Sequence, residues 1–414
     1  MKIFTAAVCL GCIWIGTNLS SAGDWLMWRG PNGNGIADPD QDPPMKLDKP
    51  KWSVDMQGRS HGSIVVKGDQ IFFNSALVNE KVQDAEVTGQ YTVCLDRNTG
   101  EVIWASELFS DGLDQKLNKK ATWASTTPAL DDQHIYVNFL NGTTVSTTAL
   151  DYEGHLVWQT DLCEYKVHQG YGSSPTFYKD LVIVAADNKL GGVICGMDRK
   201  TGDHIWIDER AKEPNYPSPT VVNIGGKDQV IMTGTGKVTS YNPETGAKYW
   251  ETDGSTTECV TTAVTDGKHI FTSGGYPKNH VSAILADGSG KVAWQLPNRV
   301  YVPSMFVKDG CLFAVMDAGV AVCWDCATGE EKWKARLGGN FSASPVAVDD
   351  RVYAINESGT MYVYLADPEK FQLLAESKVA DEAYATPTIC GGQIFLRVAF
   401  YEGETRKEKI VCYE

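Results

Sequence analysis

A short turn that ends in tryptophan recurs along the chain, and this repeat constrains the fold more than any other sequence feature. Asp or Asn opens each turn, Gly closes it, and a short alternating strand then ends in Trp. The full copies are 96–104, 151–158, 198–206, 242–250, 287–294 and 325–333, and a partial copy ends at Trp52. Asp and Asn side chains cap backbone N–H groups, and Gly supplies the positive φ of a bulged hairpin. Each copy therefore predicts a β-hairpin within a repeat protein.

A second pattern follows the tryptophans, which are 39 to 54 residues apart. It is a small polar residue, often before Pro, and then two strands joined by a polar turn, as in 173–184 and 342–354. Four short strands at this period are typical of propeller blades. Eight first strands are predicted, and they begin near Ser63, Thr126, Ser174, Ser218, Thr261, Pro303, Ser344 and Thr386.

The last copy ends soon after the strand Ile410–Tyr413 and has no strand that bears Trp. The partial copy Lys51–Asp55 supplies the missing strand. We therefore predict an all-β fold, an eight-bladed β-propeller over residues 51–414, whose ring is closed by an N-terminal strand in the last blade. The seventh repeat is degenerate, and its Trp is replaced near Glu376. Two long stretches, 74–90 and 105–121, are predicted to emerge on one face, here called the top face.

The N-terminus follows the pattern of a signal peptide over residues 1–22. Lys2 precedes the apolar run 3–15, and Ala22 closes a stretch of small residues before Gly23. Residues 23–50 are then an N-terminal extension. Retention as an uncleaved anchor and lipidation at Cys12 stay open as alternatives. No later apolar stretch is long enough to span a membrane, so we expect an exported protein of the periplasm or cell envelope.

Charge and cysteine content narrow the partners and the chemistry. The net charge of −15 argues against nucleic acid, which rewards fields of Lys and Arg. Nine cysteines follow the signal segment, an odd and scattered set whose disulfide state stays open. Cys323 and Cys326 form a lone C-x-x-C, but Cys323 aligns with Cys94 and Cys412 in other repeats, which favours packing over redox or zinc chemistry. The acidic stretch 38–42 lacks the Gly and Glu of a calcium loop and is predicted to be a solvated linker.

The repeat 93–104 resembles the PQQ-like (pyrroloquinoline-quinone-like) propeller repeat, and the resemblance covers nearly all of 52–414. This family includes quinoprotein dehydrogenases and also propellers that bind no quinone, such as the BamB-type propellers of outer-membrane protein assembly. The resemblance implies that an enzyme of this family would use two adjacent cysteines, a stacking Trp, a metal ion and a catalytic Asp. No two cysteines are adjacent here, and no segment matches the metal-site pattern.

The approaches to the innermost strands supply the candidate ligand-binding residues, since they should ring the mouth of the central channel. They are Arg59, His61, Trp123, His168, Tyr171, Tyr216, Glu258, Arg299, Tyr301 and Tyr384, with Phe341 beside them. Such residues suit a peptide, a sugar or a small polar ligand, or they simply cap the channel. The repeat tryptophans are predicted to pack between blades, which leaves Trp25, Trp28 and Trp123 open to other roles.

The sequence favours a non-catalytic exported propeller that acts as a protein-binding or assembly scaffold, similar to BamB. Its expected partners are other envelope proteins, and a monomer is assumed. We predict no catalytic residues, no metal and no cofactor. Two alternatives remain: a quinone-dependent oxidoreductase, which would require PQQ with calcium, and a module that binds carbohydrate or another small ligand at the channel mouth.

Overall fold

The protein is an eight-bladed β-propeller, as predicted. The computed structural model describes residues 23–82 and 85–414. Within these residues the chain has thirty-two strands and no helix, and the strands form eight four-stranded sheets. There is thus no helix in this part of the chain with the length and apolarity for a membrane crossing. The predicted signal peptide, its cleavage at Ala22 and lipidation at Cys12 all fall outside the described residues.

Every blade is an antiparallel meander in which strand order in space follows the chain, and the ring closes through the first strand. The strands of the first half are β1 (Trp52–Met56), β2 (Val65–Lys67), β3 (Gln70–Val82), β4 (Ala85–Asp96), β5 (Val102–Phe109), β6 (Ala129–Leu130), β7 (Ile135–Asn141), β8 (Thr144–Leu150), β9 (Leu156–Glu164), β10 (Thr176–Tyr178), β11 (Leu181–Ala186), β12 (Gly192–Asp198), β13 (His204–Arg210), β14 (Thr220–Ile224), β15 (Lys227–Gly234), β16 (Lys237–Tyr241) and β17 (Lys248–Asp253). Strands β2 to β17 make blades 1 to 4, four strands to a blade.

Blades 5 to 8 follow the same plan. Their strands are β18 (Val264–Thr265), β19 (His269–Gly274), β20 (His280–Leu285), β21 (Val292–Leu296), β22 (Phe306–Lys308), β23 (Cys311–Met316), β24 (Val320–Asp325), β25 (Glu331–Arg336), β26 (Val346–Val348), β27 (Arg351–Ile355), β28 (Thr360–Leu365), β29 (Leu373–Lys378), β30 (Thr388–Cys390), β31 (Gln393–Glu402) and β32 (Thr405–Tyr413). Blade 8 has the order β30-β31-β32-β1, and Trp52 lies opposite Cys412 in its outer pair. The N-terminal strand therefore closes the ring, as predicted, and joins the two ends of the propeller.

In six of the eight blades the repeat tryptophan is hydrogen-bonded to the next blade, whereas Trp250 bonds to Gln229 within its own blade. Trp158 Nε1 donates a 3.0 Å hydrogen bond to the Arg199 carbonyl in the following blade's turn. Gly202 in that turn has a φ of +76°, and a Cβ there would lie 2.5 Å from the Trp158 ring. Only Gly tolerates both the positive φ and the close indole. The same donation to the next blade is made by Trp52, Trp104, Trp206, Trp294 and Trp333.

The cysteines behave as small buried side chains. Cys94, Cys323 and Cys412 each lie directly opposite a repeat Trp in the strand register, and all are fully buried. The nine cysteines of the described chain are free thiols. In blade 7 the register position opposite Val363 is Ala375, so Ala375, one residue before the predicted Glu376, replaces the repeat Trp.

Residues 24–47, here called the N-terminal strap, run across the bottom face of the ring. The acidic stretch 38–42, predicted to be a solvated linker, is exposed or partly exposed at every position. The strap as a whole contacts blades 1, 2, 5, 6, 7 and 8 at or beside their innermost strands. Its pinning contacts, in chain order, are Trp25–Val66, Leu26–Leu130, Trp28–Thr262, Arg29–Met305, Ile36–Ala347 and Gln41–Gly392. Leu47 ends it in the core near blade 7, where its N–H bonds to Ser377 Oγ at 3.0 Å.

Two long hairpins rise from the top face beside each other. The predicted long stretch 74–90 is a continuation of β3 and β4, which stay paired out to residues 82 and 85. Strands β31 and β32 stay paired to Glu402 and Thr405 in blade 8. Arg397 of β31 joins the hairpins, because its guanidinium donates to the Asn74 carbonyl at 2.7 Å and to Glu408 at 2.5 Å.

Candidate functional site

A cavity of about 670 Å³ occupies the central channel and is the candidate site. Its lower part is lined by one residue from each of seven blades, always the Ser or Thr just before the innermost strand. We call this set the hydroxyl belt: Thr127, Ser174, Ser218, Thr262, Ser304, Ser344 and Thr386. The repeated small polar residue before the first strand is the sequence signal for the belt.

Most of the belt is connected by hydrogen bonds that run from blade to blade, and in the described chain this relay is interrupted between Ser218 and Thr262 and between Thr386 and Ser63. The backbone N–H of one belt residue donates to the hydroxyl of the next blade, as from Ser304 to Ser344 at 2.9 Å. Starting at Ser63, which occupies the same position in blade 1, six such bonds of 2.9 to 3.0 Å occur in the described chain. Six of the seven belt hydroxyls thus accept a backbone N–H, and no belt hydroxyl donates its own proton to an acceptor among residues 23–82 and 85–414. The protons remain available to a ligand or to water.

Trp28 of the strap forms the floor of the cavity. Its Nε1 donates a 3.0 Å bond to Thr262 Oγ1, and its half-buried indole lines the cavity from below. The next residue of the strap, Arg29, is 1% exposed and donates to the Met305 carbonyl, which fixes the strap beside Trp28. The channel is therefore closed by the strap at the bottom.

Acidic and aromatic side chains form one wall of the mouth. Tyr301 donates its phenol to Glu258 Oε1 at 3.0 Å, and its backbone N–H donates to Asp317 Oδ2 at 2.8 Å. The Arg299 guanidinium lies 4.9 Å from the centre of the Tyr301 ring and 4.0 Å from Asp317. Glu258 is only 5% exposed, and in the described chain no donor reaches its Oε2. Glu258 therefore offers a free carboxylate oxygen at this wall, while both oxygens of Asp317 have a donor or a cation nearby.

The opposite wall carries a cross-channel ion pair and an aromatic stack. Lys120, from the connection between blades 1 and 2, donates to the Glu357 carboxylate of blade 7 at 2.7 Å. His61 stacks on Tyr384 with ring centres 4.4 Å apart. The ion pair links parts of the chain 237 residues apart, so no local pattern reveals it.

Burial shifts the titration of these groups. Burial lowers the pKa of His61 well below its usual value, and the guanidinium groups of Arg59, Arg406 and Arg397 add to the effect. Burial and the Glu258 carboxylate raise the pKa of both Tyr216 and Tyr301. The imidazole is therefore neutral near pH 7, and both phenols keep their protons as donors.

Seven of the ten sequence-predicted site residues line the cavity, together with Phe341: they are His61, Tyr171, Tyr216, Glu258, Arg299, Tyr301 and Tyr384. His168 lies at the mouth without lining it, 3.3 Å from the Tyr216 phenol. Arg59 lies farther out on the rim, 3.8 Å from Glu382. Their roles in ligand binding remain predictions.

Trp123 is not at the mouth, where it was expected. It is 9% exposed and packs in the hydrophobic core beside Phe139 and Leu140. The long connection that ends near Trp123 turns its indole between blades 1 and 2, while the Trp123 carbonyl accepts a 2.7 Å bond from Gln90. Trp25 is also core, at 1% exposure, so only Trp28 of the three unassigned tryptophans faces the cavity.

Sequence reasoning missed several cavity residues. Lys120, Asp317 and Glu357 lie in connections and turns that carry no repeat signal. Across residues 23–82 and 85–414, no three His, Cys, Asp or Glu side chains form a group that could hold a metal ion. The candidate site is therefore a cavity lined by hydroxyl groups, aromatic rings and paired charges.

Comparison with known proteins places this geometry in a family. The sequence profile described as outer membrane protein assembly factor BamB matches residues 88–295 and 277–368. BamB from Moraxella catarrhalis is similar in structure, with a TM-score of 0.59 at 13% identity over 87% of this chain and 97% of that chain. No curated protein matches the sequence.

Quinoprotein enzymes share the fold as well. A europium-containing methanol dehydrogenase has a TM-score of 0.67 at 12% identity, covering 92% of this chain and 90% of that one. The quinohemoprotein alcohol dehydrogenase from Comamonas testosteroni also has 0.67, at 13% identity, covering 95% and 81%. Identities this low establish the fold alone. The profile match, in contrast, extends over more than half of the sequence, and the chain belongs to the PQQ-like propeller family of the outer membrane protein assembly factor BamB.

Proposed function

We propose that this protein is a non-catalytic propeller of the cell envelope that binds a partner protein through its top face. The observation that supports the proposal is the shape of that face, on which two hairpins project beside the cavity mouth. The strap covers the bottom face, whereas the β3–β4 and β31–β32 hairpins rise beside the open cavity mouth. Raised loops on a rigid scaffold are where binding residues concentrate. Membership of the BamB family supports an exported protein with envelope partners, and we take it to act as a monomer.

The β31–β32 hairpin is held firmly enough to present a fixed surface. Arg397 and Glu408 are 3% and 5% exposed and form an ion pair beneath it. Arg406 links Glu408 to Glu382, and Glu382 accepts the phenol of Tyr401 at 3.0 Å. Tyr401 itself is 46% exposed on the top face. A rigid, half-exposed tyrosine is a common anchor in protein interfaces.

The cavity supports a binding role over a catalytic one. Its carboxylates take part in internal contacts, Glu258 with Tyr301 and Glu357 with Lys120. The quinone alternative finds little support in the donor set, because adjacent cysteines are missing from the sequence and no group in the described chain could hold a metal. We therefore propose that the protein works without PQQ or calcium.

Site-specific photocrosslinking in cells of the source organism tests the proposal. A photoreactive phenylalanine replaces Tyr401 on the top face, Val102 on an outer strand, or Lys200 in a bottom turn; Val102 is 53% exposed. We expect a discrete adduct with an envelope protein from position 401 and none from 102 or 200. No adduct at 401, or the same adducts at all three positions, would contradict the proposal.

The enzyme alternative has its own test. PQQ with calcium is added to the purified protein, and thermal unfolding and dye reduction with alcohols are measured. We expect no shift in melting temperature and no reduction above the protein-free control. A saturable shift together with dye reduction would favour the oxidoreductase.

A further inference from the structure

We infer that the central cavity is a binding site for a short, neutral oligosaccharide whose sugar ring rests against Trp28. This inference concerns the inside of the ring and does not depend on the protein partner proposed for the top face. It follows from three properties of the cavity: the donors of its lower half, the acceptors of its upper half, and the pairing of its charges.

The lower half offers hydrogen-bond donors around an aromatic floor. Six hydroxyls of the belt already accept a backbone N–H, and Thr262 accepts the Trp28 indole N–H, so each keeps its own proton to donate. Trp28 presents a half-buried indole at the same level. A sugar ring has an apolar face of C–H groups that packs on an indole and a rim of hydroxyl oxygens that accept protons. Both match the lower half.

The upper half offers acceptors. Glu258 uses Oε1 for the Tyr301 phenol, which leaves Oε2 without a donor in the described chain. Asp317 uses Oδ2 for the Tyr301 N–H, and its Oδ1 lies 4.0 Å from Arg299 Nε, at the limit of an ion pair. A carboxylate accepts strong hydrogen bonds from sugar hydroxyls. A polyol satisfies both halves at once, because every hydroxyl group both donates and accepts.

The charges argue for a neutral ligand. The two cations of the lining are engaged, Lys120 with Glu357 at 2.7 Å and Arg299 with Tyr301 and Asp317. A phosphate or sulfate would meet the Glu258 and Asp317 carboxylates without an unpaired cation to hold it. A cationic ligand would meet Arg299 beside the same carboxylates. The volume of about 670 Å³ lies within the range of pockets that enclose a small ligand and suits a short oligosaccharide.

Titration calorimetry of the whole protein tests the inference with maltotriose, cellotriose and triacetylchitotriose as probes. We expect at least one of them to bind with one-to-one stoichiometry. Glu258→Gln should weaken that binding about ten-fold, since it exchanges a charged acceptor for a neutral amide. Trp28→Leu should weaken it by a similar factor because the stacking face is lost. Glu251→Gln, an exposed acid on outer strand β17, is the matched control and should bind like the wild type.

Three outcomes would overturn the inference. The first is that none of the three sugars binds at millimolar concentration. The second is that trilysine or inorganic phosphate binds where the sugars do not. The third is that both cavity variants bind a sugar as tightly as the control. Thermal unfolding of every variant accompanies the titration, and a Trp28→Leu protein that fails to fold leaves Glu258→Gln to decide. The Tyr401 crosslink is independent of these results, so failure of either proposal is recognised separately.

Discussion

The two ends of the central channel are built from different kinds of sequence. The bottom end is closed by one continuous segment, the N-terminal strap, which contacts blades on both sides of the ring. The top end is open, and its walls come from separate connections, such as Lys120 from one side and Glu357 from the other. Large buried side chains of the strap, such as Trp25, pack against the blades, whereas polar and half-exposed side chains line the mouth.

This contrast separates stability from recognition. Side chains at the bottom end are buried in the core, so their loss should destabilise the fold. Side chains at the mouth have free polar atoms and partial exposure, so their loss should change binding and pH dependence more than stability. The following predictions test that division, in order of expected size.

Trp25→Ala should produce the largest loss of stability. Trp25 is 1% exposed, and a Cβ at Gly30 would lie 2.9 Å from its ring, so the strap is folded tightly around it. Truncation should lower the free energy of unfolding by about 3–5 kcal/mol. Urea unfolding followed by circular dichroism measures the loss. Val102→Ala, at a 53% exposed position, should cost less than about 0.5 kcal/mol, and equal losses would show that the strap is not structural.

Gly202→Ala breaks the joint between blades 2 and 3. Its positive φ costs an alanine about 1–2 kcal/mol, and the contact with Trp158 adds about 1–3 kcal/mol of overpacking. Gly267→Ala is the matched control, because Gly267 has a φ of +82° but no atom within 4 Å of an added Cβ. Differential scanning calorimetry should give a lower melting temperature for Gly202→Ala. A difference in the opposite direction would refute the interlocking role of the turn.

Ser344→Ala tests the hydroxyl belt. The substitution leaves the buried N–H of Ser304 without its 2.9 Å acceptor, which should cost about 1–2 kcal/mol. Ser63→Ala is the control, since Ser63 Oγ has no hydrogen-bond partner in the described chain and should be replaced at little cost. Chemical unfolding of both variants compares them. Equal stabilities would mean that the relay contributes nothing measurable.

The smallest expected effect is a change in the pH dependence of stability, which His61→Gln should produce. The pKa of His61 is lowered in the folded state, so the fold favours the neutral imidazole. The stability contributed by this preference is present above the unfolded pKa of about 6.5 and is lost as the pH falls below it, by at most about 1.4 kcal/mol per pH unit. Melting temperatures on both sides of that value should therefore fall less steeply for His61→Gln.

The matched control for this measurement is His155→Gln. The side chain of His155 is 78% exposed in a surface turn, 3.1 Å from Asp151, and its replacement should change the slope near pH 6.5 less than His61→Gln does. Parallel curves for His61→Gln and the wild type would show that the mouth does not disfavour the charged imidazole.

Local chemistry made most of the fold predictable. The turn from Asp198 to Gly202 is formed by a few adjacent residues, and Trp206 follows it after a short strand. Most blades can therefore be recognised from a short stretch of their own sequence. The missing outer strand at the C-terminus and the spare one at Trp52 predicted ring closure. The prediction succeeded because a propeller repeats one short-range unit and buries each blade against the next.

The candidate site was less predictable. The sequence predicted that the aromatic residues before the innermost strands lie together at the mouth. The Trp123 side chain packs in the core instead, because its direction depends on how the connection packs between blades. Lys120 and Glu357 meet across the channel from distant parts of the chain, and nothing near either residue signals the other. Convergence of side chains is a property of the ring and not of any one repeat.

The sequence by itself determined the blade, the number of blades and their closure, since turn residues, strand alternation and the Trp–Gly contact are short-range and repeat. Tertiary structure alone decided that the strap seals the bottom of the channel with Trp28 and that belt, carboxylates and aromatic rings enclose one cavity. These features join residues up to hundreds of positions apart, and contacts of that range form only when the ring closes.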